Sequence, residues 1–68
     1  MKVNTQLSLN GCWNMVNRIQ LADTPSEIRE RCGIAEYWLT NNKVISVEEY
    51  DELMQAVAYF HRESYRMN

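Results

Sequence analysis

The chain has 68 residues, of which 46% are apolar, and its nine acidic and seven basic side chains give a net charge of -2. This length allows one small domain, this apolar content excludes a disordered segment, and the charge leaves no basic surplus for neutralising a nucleic-acid backbone. The chain also lacks the roughly 20 consecutive apolar residues of a membrane-spanning helix and the apolar stretch of a secretion signal near its start, so we expect a cytoplasmic protein without membrane contact.

Residues 1–8 are predicted to form an extended arm. Apolar and polar side chains alternate there, with Val3, Thr5 and Leu7 on one side of the chain, and this period of two is typical of extended backbone. A lone strand needs a partner, and no second strand is indicated in the sequence. We therefore expect the arm to lie along the helices, with pairing to the same arm of a second subunit as the alternative.

Two helix-start signals divide the rest of the chain into three helical segments. Thr24-Pro25-Ser26-Glu27 and Ser46-Val47-Glu48-Glu49 each place a hydroxyl residue three positions before a glutamate, which is the pattern of a capping box. Pro25 also suits the first helical position, where its missing N–H is not needed. The predicted helices span about 9–22, 25–41 and 47–66.

Each predicted helix carries one apolar stripe at helical spacing, which we expect to face a shared core. The stripes are Leu9, Cys12, Trp13, Val16 and Ile19, then Ile28, Cys32, Ala35 and Leu39, then Tyr50, Leu53, Met54, Val57, Phe60, His61 and Ser64. The short connection over 42–45 favours an antiparallel helical hairpin. The predicted fold class is all-α: a small three-helix bundle with an extended N-terminal arm, forming one domain over 1–68.

Gly33 is the residue that does not suit its predicted helix. A glycine inside a helix costs about 1 kcal/mol relative to alanine. We therefore expect that another backbone approaches closely at Gly33, or that the helix bends there.

No pattern in the sequence indicates catalysis, a cofactor or a metal ion. His61 is the single histidine, and its neighbours supply no oriented nucleophile or acid. Cys12 and Cys32 lie on apolar stripes, where a free thiol behaves as a small hydrophobic group. With His61 they lack the paired ligand spacing of a structural zinc site. We therefore expect no catalytic, cofactor-binding or metal-binding residue and no small-molecule substrate.

The candidate functional residues are apolar side chains outside the core stripes. Ile34 lies roughly 120° and Trp38 roughly 80° from the core line of the second helix, at 100° per residue. Tyr37 falls on the far side of that helix, and Tyr59 faces away from the core on the third. Aromatic side chains are enriched at interface hot spots, although single exposed aromatics are also common on any surface. These four residues are the predicted protein interface.

The sequence favours a small non-enzymatic interaction module that binds another protein or itself as a homodimer. The alternative is a DNA-associated regulator, which would read DNA through a helix-turn-helix hairpin or through paired arms. A reading helix presents its first residues to phosphates, and here those residues include the carboxylates Glu48, Glu49, Asp51 and Glu52. An enzyme that uses His61 and neighbouring acids ranks last, because no nucleophile–base or metal pattern is visible.

Overall fold

Three α-helices form the part of the chain that the computed structural model describes, residues 7–66. Their bounds are α1 Leu9–Gln20, α2 Pro25–Thr40 and α3 Val47–Ser64, and no strand occurs between residues 7 and 66. The predicted all-α three-helix bundle is confirmed, and each helix ends one or two residues before its predicted end. Most of the predicted arm, residues 1–6, lies outside the described residues.

The starts of α1 and α3 depend on serine side chains. Ser8 Oγ accepts a hydrogen bond from Gly11 N at 3.2 Å, which satisfies one of the free amides of the first turn. Ser46 Oγ accepts from Glu49 N at 3.1 Å, and the Glu49 carboxylate accepts from Ser46 N at 2.9 Å. Ser46 and Glu49 therefore form the complete capping box that the sequence predicts.

The start of α2 departs from the predicted capping box in one bond. Thr24 Oγ1 accepts from Glu27 N at 3.2 Å, as predicted. The reciprocal bond to the Glu27 carboxylate comes from Asp23 N, at 3.1 Å, instead of from the backbone N–H of Thr24. One turn later, Arg31 donates to the carbonyl oxygen of Arg18 at 2.6 Å, so its guanidinium reaches α1.

The core is formed by residues of the three predicted stripes. Its nine buried apolar residues are Cys12, Val16, Ile19, Ile28, Cys32, Ala35, Leu39, Leu53 and Val57. Ser64 is also buried, and its hydroxyl donates to the carbonyl oxygen of His61 at 2.6 Å. Among residues 7–66, no buried side-chain nitrogen or oxygen lacks a hydrogen-bond partner. The buried faces were therefore predictable from helical periodicity.

Gly33 is exposed, and its surroundings contradict the predicted close approach. Apart from its two chain neighbours and the surrounding backbone of its own helix, a Cβ atom placed on Gly33 would meet no heavy atom of the described residues within 4 Å. Helix α2 continues through this position from Pro25 to Thr40. The prediction that another backbone comes close to Gly33 is therefore wrong for this part of the chain.

Helix α2 runs antiparallel to both of its neighbours. Near its start, Arg29 donates to the carbonyl oxygen of Ser64, in the last turn of α3, at 3.4 Å. Just beyond its end, Asn42 donates to the carbonyl oxygen of Leu7, ahead of α1, at 2.8 Å. Helix α3 packs against both α1 and α2. None of these described helices combines the length and apolar character that a membrane crossing requires.

Candidate functional site

An open groove runs between α1 and α2 on the outside of the bundle. It has two adjoining parts with volumes of about 530 Å³ and 330 Å³, and no residue of α3 lines either part. Met15, Arg18 and Ile34 line both parts, so the two form one continuous surface. We call this surface the α1–α2 groove; its other lining residues are Leu21 and Arg31 at one end and Leu7, Gly11, Asn14 and Trp38 at the other.

The groove arises from helical spacing on two antiparallel helices. Side chains at i, i+3, i+4 and i+7 share one face of a helix. Helix α1 supplies positions 11, 14, 15 and 18 in this spacing, and α2 supplies positions 31, 34 and 38. Because the helices are antiparallel, Arg31 meets the end of α1 near Arg18, and Trp38 meets its start near Leu7.

The apolar side chains of the α1–α2 groove are partly open to solvent. Ile34 is 50% exposed and Leu21 is 73% exposed, whereas Met15 and Trp38 are half-buried. Tyr37 lies beside the groove, 66% exposed, and its ring packs edge-on against Trp38 with 6.1 Å between centroids. The structure therefore brings three of the four predicted interface residues, Ile34, Tyr37 and Trp38, onto one continuous surface.

Tyr59, the fourth predicted interface residue, lies apart from that surface. It is 52% exposed on α3, and its ring packs edge-on against Phe60 with 5.5 Å between centroids. It does not line the α1–α2 groove. An interface that includes all four residues as one patch is therefore not what the geometry favours, and a role for Tyr59 stays a prediction.

Two arginines mark one end of the groove. The Arg31 guanidinium donates to the Arg18 carbonyl, in the last turn of α1, where a positive charge complements the helix dipole. Among residues 7–66, neither Arg18 nor Arg31 forms an ion pair with a carboxylate. Guanidinium groups bind carboxylates through paired hydrogen bonds and also stack on aromatic rings. This end of the groove can therefore bind either a carboxylate or an aromatic ring.

Three residues of the groove, Arg18, Leu21 and Arg31, are not among the predicted interface residues. The available signal was the spacing of positions 11, 14, 15 and 18, which marks a second face on α1 beside its core stripe. That spacing indicates a groove only once it is known which face of α2 lies beside it.

Asn42 fixes the other end of the groove. Its Nδ2 donates to the Leu7 carbonyl at 2.8 Å and to Cys12 Sγ at 3.2 Å. Its Oδ1 accepts from Val44 N at 3.0 Å. One side chain therefore joins the segment before α1, the first turns of α1 and the α2–α3 connection, and it holds Leu7 at the mouth of the groove.

The residues that could carry chemistry occupy positions outside the groove. Cys12 and Cys32 are free and buried, and burial, with a smaller contribution from Glu36, raises the pKa of the Cys32 thiol. The His61 ring is half-buried and packs edge-on against Tyr65, with 5.4 Å between centroids. Within residues 7–66, no three side chains of His, Cys, Asp or Glu are placed to hold one metal ion.

The first turns of α3 present carboxylates to solvent. Glu48, Asp51 and Glu52 are exposed, while Glu49 is engaged in the capping box with Ser46. A helix-turn-helix reader would bring these turns to DNA, and their charge would repel the phosphates. DNA binding stays a prediction, and no feature of this helix supports it.

Comparisons with protein-family models, with curated proteins and with solved structures return no match to this chain. The α1–α2 groove offers apolar contact along its length, an aromatic surface at one end and two guanidinium groups at the other. Amphipathic helices are recognised by apolar grooves of this kind.

Proposed function

We propose that this chain is a small, non-enzymatic interaction module that binds a helix in the α1–α2 groove. The observation that carries the proposal is the row of apolar side chains along the groove, with the half-exposed Ile34 at its centre. Helices pack by fitting the ridges of one into the grooves of another. In a three-helix bundle, the groove between two neighbours is the place where a fourth helix packs.

The exposed apolar area of the groove sets the scale of the binding energy. Full burial of an aliphatic or aromatic side chain contributes about 1.5–3 kcal/mol. Since Ile34 and Leu21 are one-half and three-quarters exposed, covering them contributes about 1–2 kcal/mol each. Association itself costs at least about 4 kcal/mol, so a partner needs contacts along the whole groove, and a short peptide should bind weakly.

The proposal can be tested with a displayed library of helical peptides. Peptides selected against the parent chain would be measured against Ile34→Glu and Tyr59→Glu. These variants make a matched pair, because both replace a side chain that is about half exposed, at 50% and 52%, with the same charge. We expect Ile34→Glu to weaken binding at least tenfold and Tyr59→Glu to leave it unchanged.

Circular dichroism would first establish that both variants keep the helical content of the parent. Selected peptides that bind Ile34→Glu as tightly as the parent would contradict the proposal. A library that yields no binder to the parent chain would contradict it as well.

A further inference from the structure

We propose that the helix bound in the α1–α2 groove is α2 of a second copy of this chain, docked around a two-fold axis that passes through Ile34. This inference rests on the proposed function and names its partner. The observation behind it is that the two ends of the groove have complementary chemistry. A surface that is complementary to itself in this way closes as a symmetric dimer.

The complementarity follows from the positions of three residues on α2. Ile34 lies in the middle of the groove, three residues after Arg31 and four residues before Trp38. Arg31 and Trp38 are therefore about 4.5 Å and about 6 Å from Ile34 along the helix axis, and both lie on the groove side of Ile34. A rotation of 180° about Ile34 sets two α2 helices antiparallel and exchanges their ends. Arg31 of one copy then faces Trp38 of the other, and the same contact forms a second time by symmetry.

An arginine facing an aromatic ring is a favourable contact. A guanidinium within about 6 Å of a ring centroid is attracted to the ring face. The chain already uses this contact elsewhere, because the Arg29 guanidinium lies 4.8 Å from the centroid of Tyr65. The proposed dimer would give Arg31, which forms no ion pair within the described residues, a partner of the same kind.

A second copy of the chain is more complementary to the two ends of the groove than a foreign acidic helix would be. Carboxylates would pair with Arg18 and Arg31, but they would leave the aromatic end at Tyr37 and Trp38 without a complementary group. The antiparallel copy places the Trp38 ring of each chain against Arg31 of the other. It also sets the two helix dipoles in opposite directions, which is the favourable arrangement.

The size of the contact indicates which other residues take part. A stable dimer covers about 800 Å² on each partner, which is roughly a sixth of the 5079 Å² surface of this chain. One helix face is too small for that, so α1 must contribute through Met15 and Leu21. Leu21, at 73% exposed, is expected to be covered by the aromatic end of the second α2.

The direct test is a cross-link at the proposed axis. Helices pack with their axes 8–10 Å apart and carry their Cα atoms about 2.3 Å from the axis. Two facing Cα atoms are then about 3.4–5.4 Å apart, which overlaps the 4.4–6.8 Å range of disulfides. Under mild oxidation, Ile34→Cys should form a covalent dimer on a non-reducing gel. Tyr59→Cys, exposed on α3, should not exceed the parent, whose two cysteines are buried.

A charge exchange tests the register independently. Arg31→Glu alone and Trp38→Arg alone should each weaken self-association at least tenfold. The double variant should recover most of the loss, because the introduced glutamate and the introduced arginine face each other across the axis. The single Arg31→Glu variant and the double variant both lose the hydrogen bond from Arg31 to the Arg18 carbonyl. If Arg31 acted only through that bond, the double variant would self-associate as weakly as the single one.

Several results would overturn the second-copy proposal. They are a parent that stays monomeric at millimolar concentration, a cross-link in Tyr59→Cys instead of Ile34→Cys, and a double variant without recovery. If helical peptides still bind the groove of that monomer and lose binding with Ile34→Glu, the interaction module stands and only the second-copy partner is wrong. If the peptides fail as well, both proposals are wrong.

Discussion

Replacing Asn42 with alanine is expected to destabilise the bundle by about 2 kcal/mol. The Asn42 side chain links three separate parts of the fold. It donates to the Leu7 carbonyl at 2.8 Å and to Cys12 Sγ at 3.2 Å, and it accepts from Val44 N at 3.0 Å. Alanine removes all three hydrogen bonds and leaves the helices themselves unchanged.

The magnitude follows from the kinds of bond that are lost. An ordinary intramolecular hydrogen bond contributes about 1 kcal/mol net, and sulfur is a weak acceptor. The bonds to Leu7 and Val44 therefore account for most of the loss. A domain of this length has a free energy of unfolding of about 3–10 kcal/mol. At about 4–8 °C per kcal/mol, the Tm should fall by about 8–16 °C.

Urea and thermal unfolding followed by circular dichroism would measure the loss. Asn41→Ala is the matched control, because Asn41 is the exposed neighbour at the end of α2 and donates to the Tyr37 carbonyl; we expect it to cost less than 1 kcal/mol. Asn42→Asp keeps the acceptor for Val44 but sets a carboxylate against the Leu7 carbonyl, so it should cost at least as much as alanine. An Asn42→Ala variant within about 0.5 kcal/mol of the parent would show that these hydrogen bonds contribute little to stability.

Four further predictions concern stability. Leu53→Ala should cost about 2–5 kcal/mol because Leu53 is fully buried, and urea unfolding beside the exposed Val47→Ala variant checks that the inner face of α3 is correctly assigned. Ser46→Ala should cost about 1 kcal/mol through loss of the cap of α3; no change in the Tm would show that the capping bond contributes nothing. Gly33→Ala should stabilise the chain by about 0.5–1 kcal/mol because a Cβ atom finds open space there, and a lower urea midpoint would contradict this. Because folding raises the pKa of the Cys32 thiol above the ordinary 9.0, the unfolded chain loses that proton first as the pH rises; the stability from this group is intact below pH 9.0 and falls above it. Cys32→Ala should therefore flatten the alkaline part of the stability profile, and an unchanged slope would argue against the shift.

The helix starts and the buried faces could be predicted because they are local properties of the sequence. The capping box of Ser46 and Glu49 joins residues three positions apart. The buried residues Leu53 and Val57 lie one turn apart on α3. Capping and periodicity of this kind need no knowledge of how the helices are arranged.

The features that could not be predicted depend on contacts between distant positions. Asn42 and Leu7 are 35 positions apart, and Arg31 and the Arg18 carbonyl are 13 apart. Periodicity shows which side chains leave the core line, as with Ile34, but not which helix face they meet. Only the packing of α1 beside α2 turns those separate faces into one groove.

Gly33 shows the same limit of prediction from sequence. The sequence gives the cost of Gly33 in a helix, but it contains no information about the space around that position. The structure shows open space there, which contradicts a close backbone approach, the first of the two alternatives expected at Gly33. The intrinsic cost was predictable, whereas the reason for tolerating it was not.

Sedimentation equilibrium over a wide concentration range tests most directly whether the surface at the α1–α2 groove is where the chain associates. The parent would be compared with Tyr37→Ser, beside the groove, and with Tyr59→Ser, on α3. We predict that the parent forms a reversible dimer, that Tyr37→Ser weakens it at least tenfold, and that Tyr59→Ser leaves it unchanged. A parent that remains monomeric throughout, or a dimer that only Tyr59→Ser dissociates, would contradict this account.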